Sequence, residues 1–215
     1  MKMTADYSLY VVTDSLLSRG RTCFDIVAAA IRGGATMVQY REKRATTRAL
    51  LAEARALLEL CRSKGVPFIV NDRADVAIAV DADGLHVGQE DMPAAVARRL
   101  LGKGKILGVS AGNLEEARRA AADGADYVGA SPVFATPTKP DAVSPMGIEG
   151  LRSLAGGIGI PVVAIGGINA GNAASVIAAG AAGIAVVSAI VSANDVAAAA
   201  RSLREIIDGA RIGKP

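Results

Sequence analysis

The chain has 215 residues, and 51% of them are hydrophobic, so it is long enough for one domain with a large core. A net charge of +3 and an aromatic content of 3% argue against a nucleic-acid-binding surface. No uninterrupted apolar run of about 18 residues occurs, residues 1–6 lack the apolar core of a secretory signal, and the two cysteines have no metal-ligand spacing. We therefore expect a cytoplasmic protein that acts on small molecules and does not bind nucleic acid or membrane.

Short apolar segments alternate with helical patterns along the whole chain. Continuous apolar character is typical of strands that are buried on both faces. The predicted strands are residues 9–13, 36–40, 67–71, 84–87, 106–109, 127–130, 162–165 and 184–187. The predicted helices are residues 24–32, 46–64, 74–80, 93–101, 114–122, 147–154, 171–179 and 196–208. Thr46, Asn113 and Asn194 are the predicted N-caps of three of these helices.

The alternation has the character of an internal repeat. Residues 30–38, 121–128 and 178–186 each read as the end of an Ala-rich helix, a glycine and a short apolar strand. Eight such units predict an α/β fold in one domain, residues 1–215, closed as a (β/α)8 TIM barrel. An open doubly wound sheet is the alternative, and the count of eight with even spacing favours the barrel.

Polar residues collect after the strands and not before them. In a (β/α)8 barrel, the active site is built from the C-terminal ends of the strands and the loops that follow. The segments that follow the second, third and fourth strands are Gln-Tyr-Arg-Glu-Lys at 39–43, Asn-Asp-Arg at 71–73 and Gly-Gln-Glu-Asp at 88–91. The helix-to-strand turns, such as Gly-Gly-Ala at 33–35, are much plainer. This asymmetry predicts a functional site at one end of the barrel.

Two loops have the character of a phosphate site. Gly166 and Gly167 follow the seventh strand, and Val187 and Ser188 end the eighth. Exposed backbone N–H groups bind phosphate, and the loops after strands 7 and 8 are its usual place in this fold. A tight turn that merely requires glycine is the alternative reading, and the position after the seventh strand favours phosphate.

A second, more highly charged group predicts a metal–diphosphate site. Arg41, Lys43 and Lys139 are expected near Asp72 and Asp91. Mg²⁺ in proteins takes one or two carboxylates together with phosphate oxygens, and cations neutralise the remaining charge. Each charge alone reads more simply as a solvated loop residue. Five of them at one end of a barrel favour the site.

Nucleophilic catalysis is not indicated. His86 is the only histidine, and its position inside the fourth strand favours a structural or orienting role. Ser110 ends the fifth strand, where its hydroxyl would face the site, but no Gly-x-Ser-x-Gly segment surrounds it. The GxGxxG fingerprint of dinucleotide folds is also missing after the first strand.

Taken together, these segments resemble the thiamine-phosphate synthase (thiamine-phosphate pyrophosphorylase) family. The resemblance rests on residues 39–43, 70–73, 86–91, 108–110, 136–139, 166–168 and 187–188, in the family's order and approximate spacing. It implies a transferase of thiamine biosynthesis that joins 4-amino-2-methyl-5-(diphosphooxymethyl)pyrimidine to a thiazole phosphate. The products are thiamine phosphate and diphosphate, and the cofactor is Mg²⁺.

The resemblance also implies roles for particular residues. Arg41, Lys43, Ser110 and Lys139 would be catalytic, and Asp72 and Asp91 would bind Mg²⁺. Gln39, Arg41, Lys43, Asn71 and Lys139 would hold the pyrimidine diphosphate, with Ser110 near the leaving diphosphate. The thiazole phosphate would be held by Thr136, Thr138, Gly167, Val187 and Ser188, and the implied substrate-binding residues also include Tyr40, Glu42 and Pro137. The implied reaction is dissociative, since diphosphate departs before the thiazole nitrogen attacks.

Three alternatives remain open from the sequence. They are a thiazole tautomerase relative, another phosphate-binding barrel enzyme such as a sugar-phosphate isomerase or lyase, and a non-catalytic phosphometabolite-binding protein. The tautomerase would want a histidine base in the pocket, and the chain offers only His86. The sugar-phosphate enzyme would leave Asp72 and Asp91 without a metal role, and the retention of both carboxylates argues against the non-catalytic protein. A homo-oligomer is compatible with the sequence and not required by it.

Overall fold

The computed structural model describes residues 5–136 and 144–212, and within them eight parallel strands form a closed barrel in the order β1 to β8. The strands are β1 (Leu9–Val12), β2 (Met37–Tyr40), β3 (Phe68–Asn71), β4 (Gly84–Val87), β5 (Ile106–Ala111), β6 (Tyr127–Ala130), β7 (Val162–Ile165) and β8 (Gly183–Val186). Each strand pairs with its sequence neighbours, and β8 closes the barrel on β1. The predicted (β/α)8 fold is confirmed, and the open sheet is excluded.

Helices lie between the strands and surround the barrel. They are α1 (Cys23–Arg32), α2 (Thr47–Ser63), α3 (Ala74–Ala79), α4 (Ala94–Leu101), α5 (Leu114–Ala122), α6 (Gly147–Gly157), α7 (Ala173–Ala178), α8 (Ser188–Val191) and α9 (Val196–Ile212). A 3-10 turn at Ser15–Leu17 precedes α1. Most predicted ends are correct within three residues. The short helix α8 was not predicted, because four residues are too few to show a helical period.

Two of the three predicted N-caps are confirmed. The side chain of Thr46 accepts a hydrogen bond from the amide of Ala49, and that of Asn113 accepts one from the amide of Glu116. The third was wrong: the amide of Ala198 donates to Asp195 Oδ1 at 2.9 Å, so Asp195 takes the capping position at the start of α9. Asn194 Oδ1 instead accepts a hydrogen bond from Arg19.

Side chains on the strands alternate between two apolar cores. Tyr10, Met37, Ile69, Tyr127 and Val163 belong to the core inside the barrel. The next residues along the strands, including Val11, Val38 and Val70, belong to the larger core between strands and helices. Because successive side chains of a strand point to opposite faces, this alternation decides which polar residues at each strand end face the barrel axis.

The layer between strands and helices is built from the apolar faces of the helices. In α2, Leu50, Ala54, Leu57, Leu58 and Cys61 are buried. They recur every three or four residues, so they form one stripe along the helix. No helix in the part of the chain that the structure describes has the length and apolar content needed to cross a membrane.

Candidate active site

A cavity of about 480 Å³ opens at the C-terminal ends of the strands, which we call the mouth of the barrel. Most of the described residues that the sequence assigned to the site line it. These residues are Gln39, Arg41, Lys43, Asn71, Asp72, Asp91, Ser110, Thr136, Gly167, Val187 and Ser188. The asymmetry between the two kinds of turn therefore located the cavity correctly.

Arg41 is fixed at the mouth by the end of β1. Its guanidinium Nη1 lies 2.6 Å from Asp14 Oδ2, and the Asp14 side chain is only 10% exposed. The backbone amide of Arg41 also donates to Thr13 Oγ1 at 2.9 Å. Thr13 and Asp14 directly follow β1, and Arg41 directly follows β2, so neighbouring strand ends hold this cation in place. Asp14 received no role from the sequence, although its position after the first strand was visible.

Asp72 lies at a sharp turn that ends β3. Its φ is +59°, and the amide of Arg73 donates to the carbonyl of Asn71 at 2.7 Å, which closes a three-residue γ-turn around Asp72. Positive φ is uncommon for residues other than glycine, and Asp and Asn tolerate it best. The amide of Asp72 donates to the carbonyl of His86 at 2.8 Å, which ties the turn to β4. The Asp72 carboxylate forms an ion pair with Lys43.

The carboxyl groups of Asp72 and Asp91 meet in the cavity. Burial raises the pKa of Asp72, and a hydrogen bond with Asp91 raises it further, while Lys43 opposes both effects. Asp91 Oδ2 also accepts a hydrogen bond from the amide of Gly88 at 2.7 Å, so its carboxylate is oriented by the turn after β4. Two acidic groups in contact favour either a shared proton or a bound cation between them. Among the described residues, no three His, Cys, Asp or Glu side chains lie close enough together to hold a metal ion by themselves.

The loops after β7 and β8 form the opposite side of the cavity. Gly166 and Gly167 have φ of +102° and +64°. A Cβ on Gly167 would lie 2.6 Å from the carbonyl oxygen of Ala135, so this loop packs too closely on the loop after β6 for any side chain. The side-chain amide of Asn172 donates to the carbonyl of Gly167 at 3.0 Å and fixes the loop. Ser188 borders the cavity at the start of α8.

The inner end of the cavity holds a connected set of polar side chains that the sequence did not assign as a group. Gln39, Tyr10, Tyr127, His86 and Ser110 are linked by four hydrogen bonds of 2.8 to 3.0 Å. Tyr10 and Tyr127 were read as apolar strand residues. The alternation of side chains along each strand could have predicted this group. Both tyrosines occupy strand positions that face the barrel axis, as Gln39, His86 and Ser110 do.

Two predicted substrate-binding residues do not line the cavity. Tyr40 points outward from β2, belongs to the core between strands and helices, and donates its hydroxyl to Glu53 at 2.7 Å. Glu42 accepts a hydrogen bond from the amide of Arg44 at 2.6 Å and stabilises its own loop. The outward direction of the Tyr40 side chain follows from strand geometry, since Gln39 faces inward and its neighbour must face outward.

Arg73 ends the polar segment after β3, and three assigned residues belong to the loop after β6. Arg73 Nη2 lies 2.6 Å from Asp75 Oδ2 and also donates to Thr47, so its side chain is bound at the start of α3. Pro137, Thr138 and Lys139, which the sequence assigned to the substrates, lie outside the described residues.

The closed barrel and its charged cavity at the strand ends define a (β/α)8-barrel enzyme with a polar site at its mouth. The particular group follows from comparison with known proteins. The thiamine monophosphate synthase family matches residues 9–190, and the chain belongs to this family.

Curated relatives and a solved structure agree with this assignment. The chain is 63% identical to a thiamine-phosphate synthase of Chloroflexus aurantiacus, over 94% of this chain and 93% of the relative. It is 57% identical to a thiamine-phosphate synthase of Moorella thermoacetica, over 95% of this chain and 98% of the relative. A thiamine phosphate pyrophosphorylase structure from Pyrococcus furiosus superimposes with a TM-score of 0.89 at 45% identity, covering 95% of this chain and 97% of that one.

Proposed function

We propose that the chain is a cytoplasmic, Mg²⁺-dependent thiamine-phosphate synthase. The substrates are 4-amino-2-methyl-5-(diphosphooxymethyl)pyrimidine and a thiazole phosphate, and the products are thiamine phosphate and diphosphate. One observation carries the proposal: a single cavity joins two contacting carboxylates and two cations on one side to a glycine loop on the other. Membership of the thiamine monophosphate synthase family supports the same reaction.

The cationic side of the cavity suits a diphosphate. Asp14 holds Arg41 in place, and Lys43, two residues further along the chain, also lines the cavity. Fixed cations stabilise negative charge that develops on a leaving group, and they need no reorganisation during the reaction. Asn71 and Ser110 border the same region and can donate hydrogen bonds to diphosphate oxygens. Gln39 lies deeper in the barrel, which suits a contact with the pyrimidine ring.

Asp72 and Asp91 fit a magnesium ion. Both are hard oxygen ligands, they touch in the cavity, and Mg²⁺ is commonly held by one or two carboxylates together with substrate phosphates. When bound, Mg²⁺ would neutralise charge on the diphosphate and make it a better leaving group. Burial and the neighbouring Asp91 both raise the pKa of Asp72, and a cation bound between the two carboxylates would offset the contribution of Asp91.

The glycine side of the cavity suits the thiazole phosphate. Gly167, Val187 and Ser188 lie together there, with Thr136 from the loop after β6 nearby. Backbone amides near glycine and a serine hydroxyl are common phosphate donors, and the loops after strands 7 and 8 are the usual phosphate site of this fold. Roles for Pro137, Thr138 and Lys139 rest on the family resemblance alone.

The arrangement supports a dissociative substitution. The bond between the methylene carbon and the diphosphate oxygen breaks first, and its electron pair leaves with the diphosphate. The ring amino group stabilises the resulting pyrimidine cation, and the thiazole nitrogen then attacks the methylene carbon. The protein needs no nucleophile for this route. Its task is to hold both substrates in line and to stabilise the leaving group.

The tautomerase alternative is less well supported. That reaction would use a histidine base, and both ring nitrogens of His86 are hydrogen-bonded to protein side chains, namely Tyr127 and Ser110. These two hydrogen bonds therefore favour an orienting role for His86.

Product analysis tests the proposal directly. Purified protein is incubated with both substrates in Mg²⁺, with and without excess EDTA, and thiamine phosphate and diphosphate are quantified. We expect equal amounts of the two products, formed only when Mg²⁺ is free. Isomerised thiazole phosphate without thiamine phosphate would indicate the tautomerase. No product at all with fresh substrates and metal would refute an enzyme of either kind.

A further inference from the structure

A continuous line of hydrogen bonds crosses the inner end of the cavity. Gln39 Nε2 donates to the hydroxyl of Tyr10 at 2.9 Å, and the Tyr10 hydroxyl lies 2.9 Å from that of Tyr127. The Tyr127 hydroxyl lies 2.8 Å from His86 Nδ1, and His86 Nε2 lies 3.0 Å from Ser110 Oγ. The line therefore begins at one predicted substrate-binding residue and ends at another.

Glycine at position 108 makes the central contact possible. Gly108 pairs with His86 on one side and with Tyr127 on the other, so it lies between them on β5. A Cβ at Gly108 would come within 3.0 Å of Tyr127 Oη and of His86 Nδ1. Only the absence of a side chain allows the ring of Tyr127 to cross β5 and reach the imidazole.

The hydrogens along the line have a preferred direction. An amide nitrogen can only donate, so Gln39 fixes Tyr10 as an acceptor at the first bond. Burial raises the pKa of both Tyr10 and Tyr127 above the ordinary value, so both hydroxyls keep their hydrogens at neutral pH. Within the described residues, the Tyr10 hydroxyl is hydrogen-bonded to Gln39 and Tyr127, which leaves Tyr127 as the acceptor for the Tyr10 hydrogen.

The remaining bonds follow in order. Tyr127, having accepted from Tyr10, donates its own hydrogen to His86 Nδ1. A neutral imidazole that accepts at Nδ1 carries its hydrogen on Nε2, and that hydrogen points at Ser110 Oγ. Ser110 then accepts from His86, and its hydroxyl hydrogen is left for a group in the cavity, which Ser110 lines.

We propose that Tyr127 is a positioning residue that acts through His86 to make the Ser110 hydroxyl a hydrogen-bond donor to the leaving diphosphate. The opposite tautomer of His86 would take the Ser110 hydrogen for itself and would turn a lone pair of Ser110 toward a polyanion. The catalytic part of this inference rests on the proposed function, whereas the hydrogen order is a property of the protein alone.

Nitrogen NMR of the single histidine tests the hydrogen order without any substrate. Protein labelled with ¹⁵N-histidine is measured at neutral pH, and the two ring nitrogens are assigned through their couplings to the ring protons. We expect a neutral ring with the hydrogen on Nε2. A hydrogen on Nδ1, or on both nitrogens, would overturn the proposal even if every variant failed to fold.

Two isosteric variants locate the effect. Tyr127→Phe removes the donor to His86, and we expect the Nδ1 resonance to move downfield as its hydrogen bond is lost. Tyr10→Phe is the matched control, because it removes a buried hydroxyl from the same line but leaves Tyr127 able to donate. We expect its His86 tautomer and Nδ1 resonance to stay close to those of the unmodified protein. An unchanged Nδ1 resonance in folded Tyr127→Phe would contradict the assigned contact.

A double-mutant cycle connects the line to turnover. We expect Tyr127→Phe to lower kcat about tenfold with KM changed by less than about twofold, because an interaction with the leaving group is weakened in the transition state. In a Ser110→Ala background the same change should alter kcat by less than about twofold, since its target is gone. Equal effects in both backgrounds would show that Tyr127 does not act through Ser110. Absence of thiamine phosphate from the unmodified protein would refute the proposed function and leave the NMR result intact.

Discussion

The guanidinium of Arg41 and the carboxylate of Asp14 form an ion pair of 2.6 Å across the ends of two neighbouring strands. The pair is mostly shielded from water, with the side chains 24% and 10% exposed, so it orients Arg41 more firmly than a surface pair would. Asp14 also accepts a hydrogen bond from the amide of Leu16 at 3.0 Å and is thereby fixed itself. Asp14 is thus a support for the diphosphate side of the cavity.

Replacing Asp14 tests this support. Asp14→Asn keeps the size of the side chain and removes its charge, so Arg41 loses its orientation. We expect KM for the pyrimidine diphosphate to rise about fivefold, with KM for the thiazole phosphate unchanged. Steady-state kinetics with each substrate varied in turn measures both values. Asp208→Asn is the control, because it removes an Arg–Asp contact of 2.9 Å within the last helix, outside the cavity. Equal KM values in the two variants would show that Asp14 does not support diphosphate binding.

The metal assignment is tested at Asp72 with its backbone conformation preserved. Asn also tolerates a φ of +59°, so Asp72→Asn preserves the backbone while it removes one of the two carboxylates. We expect turnover at saturating substrate to fall by about two orders of magnitude and the Mg²⁺ concentration for half-maximal rate to rise. The measurement is initial rate against Mg²⁺ concentration.

Asp81 provides a matched control for that experiment. Its φ is +58°, and it forms ion pairs with Arg62 and Lys105 in the turn before β4, at the other end of the barrel. Asp81→Asn should therefore leave the dependence of rate on Mg²⁺ unchanged. If Asp72→Asn showed the same unchanged dependence, Asp72 would not be a metal ligand.

The glycine loop after β7 is tested by comparing two glycines of nearly equal φ. Gly167 and Gly65 have φ of +64° and +66°, but a Cβ would meet the loop after β6 at Gly167 and nothing within 4 Å at Gly65. Gly65→Ala should lose about 1 kcal/mol of unfolding free energy from the strained backbone, and Gly167→Ala should lose more, because its Cβ also clashes with the loop after β6. Only Gly167→Ala should also raise KM for the thiazole phosphate, by about tenfold, because the loop must move. An unchanged KM for the thiazole phosphate in Gly167→Ala would show that this loop does not bind the phosphate.

Tyr40 is predicted to matter for stability and not for substrate. Its hydroxyl donates to Glu53 in the layer between β2 and α2. We expect Tyr40→Phe to lower the free energy of unfolding by about 1 kcal/mol, with kcat/KM for both substrates within about twofold of the unmodified enzyme. Urea denaturation and steady-state kinetics give the two quantities. A large loss of kcat/KM in a folded Tyr40→Phe protein would show that Tyr40 contributes to substrate binding.

Local patterns were enough to predict the barrel and most of its mouth. Continuous apolar strands, glycine at helix ends and polar residues after the strands are all short-range signals, and they located Arg41, Asp72 and Ser110 at one end of the fold. The short helix after β8 escaped prediction because four residues are too few to show a helical period. The cap at Asn194 was misplaced by one residue, since Asn and Asp are both good caps and adjacent here.

The sequence by itself determined the fold class, the end of the barrel that holds the site and the resemblance to one family. Only the tertiary structure decided which residues meet. Asp14 supports Arg41, Asp72 touches Asp91, and Tyr127 reaches His86 across Gly108, although all these partners are distant along the chain. The physical reason is that chain order sets the parity of each strand residue, whereas the register between strands sets which inward side chains lie at the same level of the barrel.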